Sequence, residues 1–184
     1  MTQDLLIQFK NGDKKAFDKL INLYKKRLFN YIYRFTNINE DSEDLLQELF
    51  IKIYKAHSSY IHEGKFDNYI FKIASNLCKD YYKKNKFNLQ FDENDYNFNA
   101  NAVLNSDSLE KSESEKIIRD AVSHLPYKQR TALNLIIFEE KSYSETSQIT
   151  GFSIKSVKSL MFRARKNLKT GCFYIAEHRD VRER

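Results

Sequence analysis

Tryptophan is absent from this chain, proline occurs once, and glycine only four times in 184 residues. So little punctuation excludes a turn-rich β architecture and favours helices. Cysteine is nearly absent too, with only Cys78 and Cys172. They lie far apart and show no metal-ligand spacing, so no zinc site or disulfide framework is expected, and both read as reduced thiols of a cytosolic protein. No stretch approaches the ~18 consecutive apolar residues of a membrane span. The opening MTQDLLIQFKNGD lacks the basic start and apolar run of a signal peptide. None of the four histidines is spaced to share a metal with another ligand on a helix, and no Glu-x-x-His motif is present to build a di-metal bundle. Catalytic residues, metal and cofactor are therefore all expected to be none.

What is present is charge, in blocks. The net charge is +6 and the pI about 9.1. Residues 14–34 sum to +6, 40–48 to −5, 87–115 to −6 and 153–170 to +6. Alternating blocks of this kind suggest separate surfaces for separate partners, and the basic ones suit nucleic acid.

The periodicity predicts an all-α fold of two small helical domains joined by a flexible acidic linker, with boundaries at 1–87, 88–108 and 109–170 and a C-terminal tail at 171–184. Residues 2–10 read as a short helix ending at Asn11-Gly12, and Asp13 caps a second that runs to about Thr36. Its apolar stripe is Phe17, Leu20, Ile21, Tyr24, Leu28, Ile32 and Phe35. Asn39 opens a third helix with Leu45, Leu46, Leu49, Phe50 and Ile53 inward. A loop, SSYIHEGK, leads to a fourth, with Phe66, Tyr69, Ile70, Ile73, Leu77 and Tyr81 on one stripe. From Asn88 to Ser108 the pattern dissolves into Asn, Asp and Ser, the composition of a linker. Helical spacing resumes near Leu109, and Pro126 fits the first turn of a helix carrying ALNLIIF, apolar on most faces and so expected in the core.

Three constellations carry the chemistry. First, Asp41, Asp44, Gln47 and Glu48 form an acidic ridge at helical spacing on the third helix. It reads as a docking surface for a basic partner, with a solvated face and a carboxylate-dependent nuclease as the alternatives. Second, the loop and helix from Tyr60 to Lys86 interleave aromatics with lysines, the means by which proteins hold unstacked bases. Tyr60, Lys72 and Asn76 are the contact candidates, since an Asn amide both donates to and accepts from a base edge. Lys79 and Lys83 extend the stripe. Phe66 stands at its start, although aromatics at this spacing belong to cores more often than to sites.

Third, SYSETSQITGFSIKSVKSLMFRARKNLK reads as a helix-turn-helix. Ser142 and Glu145 have capping-box spacing, Gly151 suits the left-handed position after a helix end, and Ser153 caps the second helix. Ile154, Val157, Met161, Ala164 and Leu168 then face a core. Lys155, Ser156, Lys158, Ser159, Phe162, Arg163 and Lys166 face away, as a helix entering a major groove requires. A solvated basic helix of an ordinary bundle is the plain alternative.

DLLQELFIKIYKA, then FDNYIFKIASNLCKDYYKK, then LPYKQRTALNLIIF and the helix-turn-helix, in that order over residues 5–169, resemble an extracytoplasmic-function (group IV) sigma factor. The resemblance implies a bacterial, cytoplasmic initiation subunit, not an enzyme, whose partners are core RNA polymerase (the β′ clamp and the β flap), duplex and melted promoter DNA, and an anti-sigma factor. It implies that Asp44, Gln47 and Glu48, with Asp41 beside them, dock on the β′ clamp. Tyr60, Phe66, Lys72, Asn76, Lys79 and Lys83 would then serve the minus-ten element, and the basic face of the last helix the minus-thirty-five element. Tyr69 stands where the family usually has Trp, and Lys replaces Arg at several of these positions. A helix-turn-helix regulator acting without polymerase is the competing reading.

Overall fold

The computed structural model describes the backbone of residues 2–56, 65–86 and 113–179, and all of its regular structure there is helical. These residues belong to two compact units, Met1–Tyr81 and Tyr82–Arg184. The expected linker, 88–108, lies outside the described residues.

In the first unit, α1 (Thr2–Lys10) ends in a turn at Gly12, whose φ of +93° is open to glycine at little cost. Asp13 then caps α2 (Lys14–Thr36) by accepting from the Lys15 and Ala16 backbone N–H groups. Asn37 closes α2 in the left-handed conformation, and α3 (Asn39–Lys55) begins after Ile38. The Thr36 and Ser42 hydroxyls, 2.6 Å apart, knit this corner together. Leu20, Leu28, Ile32, Phe35, Leu46, Leu49 and Ile53 form the core as their spacing predicts, while Leu45 and Phe50 are only half-buried. Tyr31, which the stripe omitted, is fully buried: its ring packs edge-on to Phe71 and its hydroxyl lies 2.7 Å from that of Ser75. Phe9, Phe17 and Tyr54 form a three-ring cluster that holds α1 against α2 and α3.

The helix α4 (Phe66–Lys86) buries more of its circumference than a single stripe would. Phe71, Ala74 and Cys78 join Phe66, Ile70 and Leu77 in the core, whereas Tyr69, Ile73 and Tyr81 are half-buried.

In the second unit, α5 (Glu113–Ser123) meets α6 (Tyr127–Leu133) through Leu125-Pro126. The buried Arg130 donates through Nη2 to the Ser123 and Leu125 carbonyls, satisfying the end of α5 with a charged donor. The helix then widens into a π turn, Asn134–Phe138. This departs from the expected apolar-all-round helix. Asn134 and Leu135 are buried, but the extra residue of the π turn swings Ile137 and Phe138 outward, where both are more than two-fifths exposed. The capping box at α7 (Tyr143–Thr150) forms with both of its hydrogen bonds, and Gly151 ends the helix at φ +75°. Ser153 caps α8 (Ile154–Arg179) through the Ser156 N–H. The expected tail therefore begins inside a helix, which runs on to Arg179. Val157, Met161 and Ala164 enter the core with Val122, Leu125, Ala132, Leu133 and Leu160, while Leu168 packs at its edge. Ile154, expected inward, is 45% exposed in the first turn of α8.

Candidate nucleic-acid and protein-docking surfaces

Each surface is set by which side of its helix the core consumes. On α3 the core takes Ser42, Leu46, Leu49 and Ile53, which leaves Asp44, Gln47 and Glu48 exposed on the far side. Glu48 pairs with Lys52 one turn on, at 3.0 Å, and with both side chains about half exposed the pair is weak and exchangeable. Ile51, 53% exposed, falls one turn after Gln47 on this same face. Sequence reasoning missed it, although an apolar residue at i+4 from a polar face was the available signal. Asp41 stands apart from this group. It is half-buried, and its Oδ2 accepts from the Tyr81 hydroxyl at 2.5 Å, so that oxygen already serves an internal contact.

On α4 the side chains of Lys72, Asn76, Lys79 and Lys83 are all exposed. Their spacing of four, three and four residues makes one continuous stripe along the helix. Phe66 is not part of it. Only 7% exposed, it packs against the Tyr24 ring at 5.7 Å and against Tyr69, so the first turn of α4 spends its aromatic on the core. Tyr69 is half-buried, and burial raises its phenol pKa. Tyr60 lies outside the described residues.

The start of α4 is tied to α2 by an ion pair and by ring contacts. Arg27 reaches from α2 to the Asp67 carboxylate at 3.0 Å and lies over the Phe71 and Tyr24 rings. Burial, reinforced by the Asp67 carboxylate, pushes the Tyr24 hydroxyl up to about 12, so it stays protonated.

On α8, Lys155, Lys158, Ser159, Phe162, Arg163 and Lys166 are exposed and Ser156 half-exposed. Phe162 is 72% exposed, the most open large apolar side chain among the described residues. That removes it from the core of this unit. Arg163 donates to the Ser159 hydroxyl at 3.2 Å, pre-ordering two neighbouring polar groups on the outer face. Arg165, also exposed, adds a cation that sequence reasoning missed. The turn between α7 and α8 is tied by two side-chain hydrogen bonds: Ser147 donates to the Phe152 carbonyl at 2.6 Å, and Thr150 accepts from the Phe152 N–H.

Among the described residues no three His, Cys, Asp or Glu side chains gather as a metal site, and no helix is long and apolar enough to cross a membrane. A helix-turn-helix with a basic outer face defines a DNA-binding protein, and the same chain carries a helical unit that bears an acidic face and a Lys–Asn stripe.

Comparison with known proteins makes this specific. Residues 20–87 match the Sigma-70 region 2 family and residues 115–168 the Sigma-70 region 4 family. The chain is 30% identical over 177 residues to the ECF RNA polymerase sigma-E factor of Haemophilus influenzae, covering 91% of this chain and 93% of that one. It is 31% identical over 155 residues to the ECF sigma factor SigM of Bacillus subtilis, covering 84% and 93%. The fold matches that of the sigma factor RpoE of Bartonella quintana, solved in complex with the anti-sigma factor NepR. The TM-score is 0.68 at 22% identity, over 85% of this chain and 96% of that one. This chain belongs to the extracytoplasmic-function RNA polymerase sigma factors. It is a transcription initiation factor, not an enzyme, that binds core RNA polymerase and promoter DNA, and a helix-turn-helix regulator acting without polymerase is not favoured.

Proposed function

We propose that this sigma factor divides its work among three faces. Residues 1–87 bind core polymerase and the minus-ten element, residues 88–108 link, and residues 109–170 bind the minus-thirty-five element. The observation that carries this reading is that one small unit displays, on different helices, an acidic face and a Lys–Asn stripe, both open to solvent. A repressor needs neither.

Asp44, Gln47 and Glu48, with Ile51 among them, dock on the β′ clamp. The carboxylates steer a basic partner, and the isoleucine supplies the apolar contact that polar rims lack. A groove lined by Ile21, Lys25, Phe29, Glu43, Leu46 and Phe50 also takes in Gln47, which widens this docking surface across α2. Asn76, flanked by Lys72, Lys79 and Lys83, captures a flipped base of the minus-ten strand together with Tyr60. The lysines hold the phosphates while the amide reads the base edge. Unpairing costs a few kcal/mol, and pocket contacts to the flipped base offset it. On α8, Lys158, Ser159 and Phe162 read the minus-thirty-five groove, and Lys155, Ser156, Arg163 and Lys166 hold its backbone. The exposed Ile137 and Phe138 meet the β flap. Acting with polymerase, the protein works in the bacterial cytoplasm, and an anti-sigma factor covering these faces would hold it inactive.

The test is transcription by bacterial core polymerase on genomic fragments, with and without this chain. Specific start sites should appear only with it. Asn76→Ala should then suppress open-complex formation on duplex promoters while sparing polymerase binding. Normal opening by that variant would remove Asn76 from the site.

A further inference from the structure

The inner face of α4 carries polar contacts in addition to its apolar packing, three of them at its start, middle and end. Asp67, in its first turn, pairs with Arg27 of α2 at 3.0 Å; Ser75, midway, meets Tyr31 of α2 at 2.7 Å; Tyr81, near its end, donates to Asp41 of α3 at 2.5 Å. Apolar packing alone tolerates small rolls and slides of a helix, whereas directional bonds at both ends do not. Tyr81 lies nine residues after Lys72, about half a turn around an α-helix. The bond therefore grips α4 on the side opposite the Lys72, Asn76, Lys79 and Lys83 stripe. Its other partner sits on α3, the helix that carries Asp44, Gln47 and Glu48. Arg27 and Tyr31 tie α4 to α2. Only the Asp41 contact ties it, among these three bonds, to the acidic-face helix.

We propose that Tyr81 and Asp41 are positioning residues for promoter melting: their hydrogen bond fixes the roll of α4 against α3, so that polymerase docked on one helix presents Asn76 to DNA at a set angle. The sequence pattern places Asp41 with the docking carboxylates; the Tyr81 contact assigns it to the protein's interior mechanics instead. The inference rests on the division of faces proposed above.

It can be tested on the full chain with core polymerase, using the strongest promoter that the wild-type holoenzyme selects from genomic fragments, as duplex and with a pre-melted bubble. Tyr81→Phe removes one hydroxyl and keeps the ring. Tyr81→Phe and Asp41→Ala should each slow open-complex formation on duplex by about tenfold, the worth of a hydrogen bond to a charged group. Affinity for core polymerase should stay within about twofold, and the double variant should be no worse than the worse single one. Asp41→Asn keeps an acceptor and should lose less than Asp41→Ala, and the bubble template should recover much of every defect. A purely structural role would instead lower thermal stability and polymerase affinity together. Wild-type opening by Tyr81→Phe, additive single effects, or polymerase binding weakened by Asp41→Ala but not by Tyr81→Phe would each overturn the inference while leaving the functional reading standing. A wild-type chain unable to bind core polymerase would overturn that reading, and this inference with it.

Discussion

Arg27 and Asp67, forty positions apart in sequence, meet with Nη1 and Oδ1 3.0 Å apart, and the same guanidinium covers the ring of Phe71. The contact joins α2 to the first turn of the helix that bears the Lys–Asn stripe. Because Arg27 is 45% exposed, the ion pair itself is screened, and its worth lies as much in the stacked rings. Arg27→Met should lower stability by about 1 kcal/mol in urea unfolding. Arg27→Lys, which keeps the charge without the planar group, should recover only part of that. Equal stability of Arg27→Lys and wild type would show that charge alone matters.

Tyr24 gives a pH signature. Its hydroxyl titrates near 12 in the folded chain against an ordinary 10, chiefly through burial and then through Asp67. The unfolded state loses this proton first, so the stabilisation is complete below pH 10 and disappears as pH rises through 12. The difference in melting temperature between wild type and Tyr24→Phe should be flat up to pH 10 and shrink above it. A difference that grows with alkali would reverse the sign and refute the assignment.

Two left-handed residues in the second unit predict opposite effects. Gly151 has φ +75° with nothing near enough to obstruct a Cβ, so Gly151→Ala should cost only the backbone strain, roughly 1–2 kcal/mol. Glu140 holds φ +53° without being glycine, and Glu140→Gly should relieve strain of similar origin and leave stability unchanged or raised. Thermal unfolding of the two variants measures both.

The docking face should separate from the fold. Replacing Asp44, Gln47 and Glu48 together by Ala removes only exposed side chains, so circular dichroism and melting should match wild type within about 0.5 kcal/mol. Affinity for core polymerase should fall at least about tenfold, and Ile51→Ala should add to that loss. Undiminished co-purification with core polymerase would move the docking site elsewhere.

On α8, positioning and reading should come apart. Lys155→Ala and Lys166→Ala should weaken binding to all promoters alike and reduce the salt slope by about one each. Phe162→Ala should leave melting unchanged, since the ring is 72% exposed, and relax selectivity at one upstream position by about 1–3 kcal/mol. Loss of melting temperature with intact selectivity would contradict the exposure.

Local sequence was enough to specify the helices, their caps and the outer face of α8. These depend on interactions within a few residues: Asp13 on the Lys15 N–H, Ser142 with Glu145, Gly151 at a helix end, charge at a spacing of three and four. Periodicity also found Leu20, Leu49, Ile70 and Val157, because each sits at the centre of a buried stripe. It failed at stripe edges, where burial depends on what lies opposite. Tyr31, off the predicted stripe, is buried where Phe71 and Ser75 arrive from α4, while Tyr69 and Ile73, on the predicted stripe, are only half-buried. Ile137 and Phe138 turn outward because the π turn adds a residue that no 3.6-residue pattern contains. Asp41 shows the limit most plainly. Its neighbours at three, six and seven residues are exposed carboxylates and an amide, so local pattern groups it with them. Only the packing of α4 on α3 brings Tyr81 within 2.5 Å, and a hydrogen bond between residues forty positions apart is set by tertiary geometry alone.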